Sequence, residues 1–423
     1  MLFVNARQVV TCAGVARARS GNEMADAGER SGVAVLVEGG SITAVDDERV
    51  LRAGAIGAAI VDCEQGLLTP GFVDSHTHAI FGRARYEEQE LRATGVPYLE
   101  IARRGGGIHA SVRDLRARDE ASLFALAEPR LRALAAHGVT TVEVKSGYGL
   151  TLDDELKSLR VIRRLAEALP MRVRATWLGA HEIPHDFRER ATGRREYVEL
   201  LVQEMLPAVS REKLASYADV FCEPGVFTVE ESRHILTAAR AAGLAIKLHA
   251  DELTSGGGAE LAGELQALSA DHLAAVSDEG IAALARAGTV ATLLPGTMLF
   301  LGRREQAPAR RLIDSGVAVA LATDFNPGTS PTTNFPLILT LGVSQLRLSA
   351  GEALVAGTVN GAGALGLADC VGQLAPGFSA DLALWELDDL RELPYWYGAG
   401  QCRASWARGK PCHIHHLAVA FPR

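Results

Sequence analysis

The chain has 423 residues, 48% of them hydrophobic, and a formal net charge of −8. That length allows one large core plus a smaller satellite unit, and an acidic balance without a lysine/arginine run argues against a nucleic-acid-binding surface. The six cysteines (Cys12, Cys63, Cys222, Cys370, Cys402, Cys412) are scattered with no CxxC pair, which argues against a disulfide framework and suits a reducing cytoplasm. The amino-terminal residues lack a basic-then-apolar targeting pattern. The most apolar region, 353–368, is interrupted by Gly357, Asn360, Gly361 and Gly363, so no membrane span or membrane partner is expected.

Residues 1–68 read as short strands with turns, at 2–10, 34–37, 42–45 and 60–62, with a polar insert at 20–31 read as a loop. From residue 71 to about residue 365, short apolar runs alternate with amphipathic stretches, the rhythm of repeated βα units. Eight strands are predicted, at 72–74, 140–144, 172–178, 219–221, 245–248, 267–270, 289–294 and 317–323. Helices are predicted between most of them, for example at 121–136, 153–169, 229–242 and 278–287. Eight such units predict an α/β fold of the (β/α)8 TIM-type barrel. A doubly wound sheet is the alternative, weakened by the lack of a GxGxxG turn. The β texture returns after Leu367, and the two β-rich ends are expected to join as one small composite β-sandwich. The expected domains are a barrel over 69–367 and a sandwich built from 1–68 and 368–423.

In such a barrel the chemistry sits where strands end and βα loops begin. The first strand ends in Gly71-Phe-Val-Asp-Ser-His-Thr-His78. Residues two apart on a strand share a face, so His76 and His78 converge. An isolated HxH is more often two packed histidines than a metal site, so the other strand ends decide. They carry Glu143 and Lys145, His181 and Glu182, Glu223, then Lys247, His249, Asp251 and Glu252, then Asp271 and His272, and lastly Asp324. Scattered core histidines would not recur at this position strand after strand. His76, His78, His249 and Asp324 form a three-imidazole, one-carboxylate shell with room for a water that the ion acidifies. His109, His137, His185 and His234 fall in loops or helices and are read as structural. The run Cys412-His-Ile-His-His416 fits no closed zinc spacing and is read the same way.

These residues resemble the amidohydrolase superfamily, whose barrels carry HxH on strand 1, His on strand 5 and Asp on strand 8. Members with two metals often bridge them by a lysine ending strand 4. Here that place holds Glu223, and Lys145 belongs to strand 2. One di- or trivalent metal ion per subunit is therefore expected, zinc first, with iron or manganese able to occupy the same shell. Lys145 and Lys247 are expected in interior ion pairs with Glu143 or Glu223.

Further segments are similar to the imidazolonepropionase family of histidine catabolism: Glu143-Val-Lys-Ser-Gly-Tyr-Gly-Leu150, Lys247-Leu-His-Ala-Asp-Glu252, Ser269-Ala-Asp-His272 and Ala322-Thr-Asp-Phe-Asn-Pro-Gly328. Phe81-Gly-Arg-Ala-Arg85, Gly105-Gly-Gly-Ile108, Leu178-Gly-Ala-His181 and Asp219-Val-Phe-Cys-Glu223 belong to the same likeness. Trp177 and the His109-Ala110 pair depart from the pattern without touching an expected ligand. The resemblance implies hydrolysis of a cyclic amide, 4-imidazolone-5-propanoate, to N-formimidoyl-L-glutamate, and a cytoplasmic homodimer. It implies that Arg85, Tyr148, His181, Glu252 and Thr329 contact the small anionic imidazolone. Asn326 and Gly328, with Tyr148, would hold the glutamate-like product.

The residue chemistry agrees with that implication. A planar guanidinium such as Arg85 grips a carboxylate in two parallel bonds, and Asn326, Gly328 and Thr329 are expected to offer donors beside Asp324. A metal-activated water is expected to attack the ring carbonyl, with His272 helping to stabilise the oxyanion. A carboxylate then carries the proton to the leaving ring nitrogen. Asp324 and Glu252 compete for that role, and Glu252 is favoured because Asp324 holds the metal. The alternatives are another mononuclear amidohydrolase, such as a guanine- or cytosine-type deaminase, and a non-enzymatic binding barrel. The acidic-substrate features tell against the first, and the complete ligand set against the second.

Overall fold

Parallel strands buried on both faces need apolar side chains on both, so they appear in a sequence as short unbroken apolar runs. In the computed structural model, which describes residues 1–96, 100, 105–415 and 419–420, eight short strands, most of them built on apolar residues, form one parallel sheet. They are β1 (Phe72–Asp74), β2 (Val139–Lys145), β3 (Arg172–Ala180), β4 (Tyr217–Cys222), β5 (Ala245–Ala250), β6 (Ser269–His272), β7 (Val290–Leu293) and β8 (Val319–Leu321). Each pairs in parallel with its sequence neighbour. The expected barrel is thereby confirmed, with strand limits moved by a few residues.

The seam between β1 and β8 closes largely through side chains. Thr323 donates from its amide to Asp74 Oδ1 at 3.0 Å and from Oγ1 to Asp74 Oδ2 at 2.6 Å. Just beyond, Asp324 N donates to His76 O at 3.0 Å and His78 N to Phe325 O at 2.8 Å. The closure therefore runs through the segments that carry the candidate ligands.

Several helices start where the sequence supplies a side-chain cap. Asp119, Thr151 and Ser277 accept backbone N–H bonds at the starts of α1 (Glu120–Ala136), α2 (Leu152–Ala168) and α4 (Asp278–Ala287). Thr228 and Glu231 form a reciprocal capping box on α3 (Val229–Ala241). Along α2, Leu159, Ile162 and Leu165 turn inward at helical spacing and are fully buried. Each such side chain contributes about 1.5–3 kcal/mol by burial.

Both chain ends build the satellite unit, as expected. One sheet aligns Ile60–Asp62, Leu2–Val4, Val33–Glu38 and Ser41–Asp47, with Val419–Ala420 on its edge. The other runs Lys410–Ile414, Cys402–Ala407, Leu382–Trp385, Leu67–Pro70, Gln8–Val10 and Glu29–Arg30. Phe3 packs edge-on against Trp406 between the sheets, ring centroids 4.9 Å apart. Leu67–Pro70 leads straight into β1, and the Trp385 ring lies 5.2 Å from that of Phe72. A Cβ at Gly138 (φ +85°) would collide with Trp385, so this junction needs glycine there.

Three local expectations change. The 2–10 run breaks into two strands at Asn5, whose φ is +58°. The polar insert at 20–31 contains a short 3-10 turn, Gly21–Ala25, and the strand Glu29–Arg30, which pairs with Gln8–Val10. The apolar region at 353–368 forms two short helices, Ala350–Gly357 and Val359–Gly363. Among the described residues no helix is long and apolar enough to cross a membrane. Cys412 and His413 lie on a sandwich strand, while His416 lies outside the described residues.

Candidate metal centre and active site

Beyond Asp74 the backbone stays extended, held by Lys145 N donating to Thr77 O at 2.9 Å on one side and by Phe325 on the other. Alternation sends Thr77 outward to the Glu143 carbonyl (2.6 Å) and His76 and His78 inward together. Their Nε2 atoms are 3.3 Å apart, and His249 Nε2 lies 3.4 Å from that of His78. Asp324 Oδ1 stands 3.6 Å from Nε2 of both His76 and His78. The three histidines thus form one group, with Asp324 beside His76 and His78, and all four candidate ligands are nearly or fully buried. Metal–ligand bonds of about 2.0–2.2 Å in a tetrahedral shell put neighbouring donor atoms roughly 3.3–3.6 Å apart. The donor set and its spacing therefore fit a first-row divalent cation. Among the described residues no other group of three metal-liking side chains comes as close.

What aims these lone pairs is a layer of carboxylates that the sequence did not assign. His76 Nδ1 meets Asp271 Oδ2 at 2.6 Å, and His249 Nδ1 lies 2.9 Å from Asp219 Oδ2. Such partners fix the imidazole tautomer and leave Nε2 free to bind metal. Thr297 Oγ1 donates to Asp324 Oδ2 at 2.5 Å. Below them Lys145 bonds Glu143 (2.6 Å) and Asp219 (2.8 Å). Lys247 donates to Ser75 O at 2.9 Å, with Asp271 at 3.7 Å and Glu143 at 3.9 Å. Three carboxylates thus face two ammoniums, and Asp324 adds a further negative charge, which suits a doubly charged ion. The expected Glu143 pairing holds, but the Glu223 pairing does not. Glu223 instead accepts from the amides of Glu252 (3.1 Å), Leu253 (3.3 Å) and Thr254 (2.9 Å), anchoring the loop after β5.

Protonation follows burial. His76, His78 and His272 are held well below the usual imidazole range by burial, so they are neutral and able to ligate or accept. Burial also works against a charged His249, yet the Asp219 carboxylate raises it. Burial pushes Asp324 up to about 6, opposed by its Thr297 bond. Glu252 is pushed up to about 8 by burial and then by the Asp324 charge. Its Oε2 lies 3.7 Å from His272 Nε2. His272 (φ +80°) and Asp324 (φ +51°) both hold left-handed backbone at strand ends. Such conformations cost about 1–3 kcal/mol and cluster at functional sites.

The remaining predicted residues lie around this centre. The His181 ring stacks on His78 (centroids 5.0 Å, planes 19° apart), and the Tyr148 ring is 5.3 Å from His181 and 6.0 Å from His78. His181 Nδ1 bonds Gly147 O at 2.9 Å, and burial drives its pKa down to about 3, so Nε2 is left as an acceptor. Arg85 lies against Gly328, where any Cβ would overlap its guanidinium. Its buried Nε and Nη1 have no hydrogen-bond partner among the described residues, and the Glu88 carboxylate is 3.7 Å away. One expectation needs correcting: the Gly328 and Thr329 amides are not open donors. Both bond Asn326 Oδ1, at 2.8 and 2.7 Å, while Asn326 Nδ2 donates to Asp324 O at 2.7 Å. An Asx-type turn therefore closes on itself and braces Asp324.

The amidohydrolase family model matches residues 101–413. The chain is 44% identical to the imidazolonepropionase of Geobacillus kaustophilus, with 97% of each chain covered. It is 48% identical to the imidazolonepropionase of Symbiobacterium thermophilum, covering 97% of this chain and 96% of that one. Among solved structures, E. coli guanine deaminase superposes with a TM-score of 0.72 at 16% identity, covering 98% of this chain and 99% of that one. That level of identity shares the fold.

Proposed function

This chain belongs to the imidazolonepropionase family of amidohydrolases, and on that premise we propose that it opens the ring of 4-imidazolone-5-propanoate to give N-formimidoyl-L-glutamate. The observation that carries the reading is the grouping of His76, His78 and His249, with Asp324 at 3.6 Å from the first two, in a chain related over nearly its whole length to imidazolonepropionases. The deaminase alternative rests on a likeness of fold.

We assign zinc to the site, because three imidazole nitrogens and one carboxylate oxygen suit it. A cation bound there acidifies a water and polarises the ring carbonyl. The chain's own residues do the rest. Arg85 takes the propanoate carboxylate with its guanidinium, whose buried Nε and Nη1 have no hydrogen-bond partner among the described residues. Tyr148, His181 and Thr329 line the ring. His181 accepts a ring N–H at Nε2, since its Nδ1 is committed to Gly147 O. His272 faces the developing oxyanion. Glu252 takes a proton from the attacking water and delivers it to the ring nitrogen that leaves; a carboxyl held near the working pH serves both directions. Asn326 and Gly328 act through the shape of their turn, keeping Asp324 and the Arg85 contact in place.

The test is loss of the imidazolone ultraviolet absorbance on freshly generated substrate, run beside guanine and cytosine, before and after chelation and zinc restoration. Turnover of the imidazolone alone, lost on chelation and regained with zinc, is expected. Turnover of guanine or cytosine instead would establish the deaminase reading.

A further inference from the structure

We propose that Glu155 is the positioning residue that sets Tyr148 and His181 against the metal centre, because its carboxylate is the object around which the 146–150 loop is wound. The inference rests on the reading of Tyr148 and His181 as substrate-facing residues given above.

Glu155 lies in the first turn of α2 and is fully buried. Its Oε1 accepts from the amides of Gly149 at 2.8 Å, Leu150 at 2.9 Å and Gly147 at 3.2 Å, and its Oε2 lies 3.1 Å from the Gly147 amide. Convergent backbone N–H groups of this kind form a concave anion nest, here filled by the protein's own side chain. An isolated carboxylate is expensive to bury, so the three amide bonds explain why one is found here. The loop needs such a template. Gly147 (φ +104°) and Leu150 (φ +56°) both hold left-handed backbone. A Cβ at Gly149 would press on Glu155 Oε1 and on the helix backbone.

The wound loop controls two side chains at once. Tyr148 sits between the anchored amides of Gly147 and Gly149. The Gly147 carbonyl accepts the His181 Nδ1 bond that fixes that ring in its stack on His78. Two of the proposed metal ligands, His76 and His249, are aimed by Asp271 and Asp219 rather than by this loop, and His78 meets it only through the stacked His181 ring. Glu155 should therefore affect how substrate is held without affecting how zinc is held.

The test is a double-mutant cycle in the zinc-loaded full chain with Glu155→Gln, Tyr148→Phe and the pair. Gln keeps the length but brings one acceptor oxygen and an NH2 group to three N–H donors. We expect Glu155→Gln to lower kcat/KM roughly 10- to 100-fold, mostly through KM, with zinc affinity unchanged. In the Tyr148→Phe background the same change should have a smaller effect than in the wild-type chain, because the part carried by Tyr148 is already lost while the part carried by His181 remains. Should Glu155→Gln not fold, Glu155→Asp keeps the charge and retracts it by one methylene, and the same KM rise and coupling are expected. A KM rise in Tyr148→Phe with a fully additive double variant, or zinc loss in the Glu155 variants, would overturn the positioning role alone. A Tyr148→Phe variant with wild-type KM would overturn the substrate role of Tyr148, and the inference with it.

Discussion

Replacing Asp271 by Asn perturbs the centre without removing any proposed ligand. The 2.6 Å contact from Asp271 Oδ2 to His76 Nδ1 is fully buried, and Asp271 Oδ1 also accepts from Ser269 Oγ at 2.6 Å. An amide oxygen can still accept from His76, so the ring keeps its direction, but the bond loses its charge. A charge-assisted hydrogen bond contributes roughly 1.5–3 kcal/mol and a neutral one about 0.5–1.5. The difference of about 1–2 kcal/mol corresponds to roughly a 5- to 30-fold weaker zinc Kd. That overlaps the roughly 10- to 100-fold span typical of partners behind metal-bound histidines. Lys145 keeps its bonds to Glu143 and Asp219, so the floor of the barrel should remain intact. The assay is competition for zinc against a chromophoric chelator, with circular dichroism confirming the fold. A Kd within twofold of wild type, about 0.4 kcal/mol, would refute the claim that Asp271 tunes His76 for metal.

Arg85→Met should raise KM roughly 100-fold with little loss of kcat, and Arg85→Lys should recover only part of it, because a bidentate fork is replaced by a point charge; steady-state kinetics decide. Asp74→Ala removes both side-chain bonds across the β1–β8 seam and leaves Thr323 unsatisfied; urea unfolding should show a loss of about 2–4 kcal/mol. Glu252→Gln should lower kcat about 10²- to 10⁴-fold while zinc content stays at wild type. The metal-free chain should lose stability as pH rises. Burial lifts Glu252 from 4.5 to about 8 and Asp74 from 3.8 to about 7, so the folded state binds these protons more tightly than the unfolded one. Their contribution is complete below about pH 4 and disappears as pH climbs to about 8. The thermal midpoint of the apo-protein should fall across that window, and less so in Glu252→Gln.

Much of this architecture was legible in the amino-acid order, because a parallel strand buried on both faces must be an apolar run and its loop must begin at a turn residue. Strand ends such as His249 and Asp324 stand out for the same reason, as polar side chains closing apolar runs. What stayed hidden depends on register between strands distant in sequence. Asp219 and Asp271 read as ordinary strand carboxylates until the pairing of β4, β5 and β6 places them behind His249 and His76. Thr297 and Glu155 act from helix starts, where their caps or turns give no hint of a partner. The Asn326 turn illustrates a different limit: sequence supplies donors, but only the backbone path shows that they close on one another.

We propose that one cation held by four side chains makes this chain a ring-opening hydrolase. The most direct test is the metal-edge anomalous difference map of zinc-loaded crystals. One peak per chain is expected, about 2.0–2.2 Å from Nε2 of His76, His78 and His249 and from a carboxylate oxygen of Asp324. No peak there in active protein, or a peak bound by other residues, would contradict it.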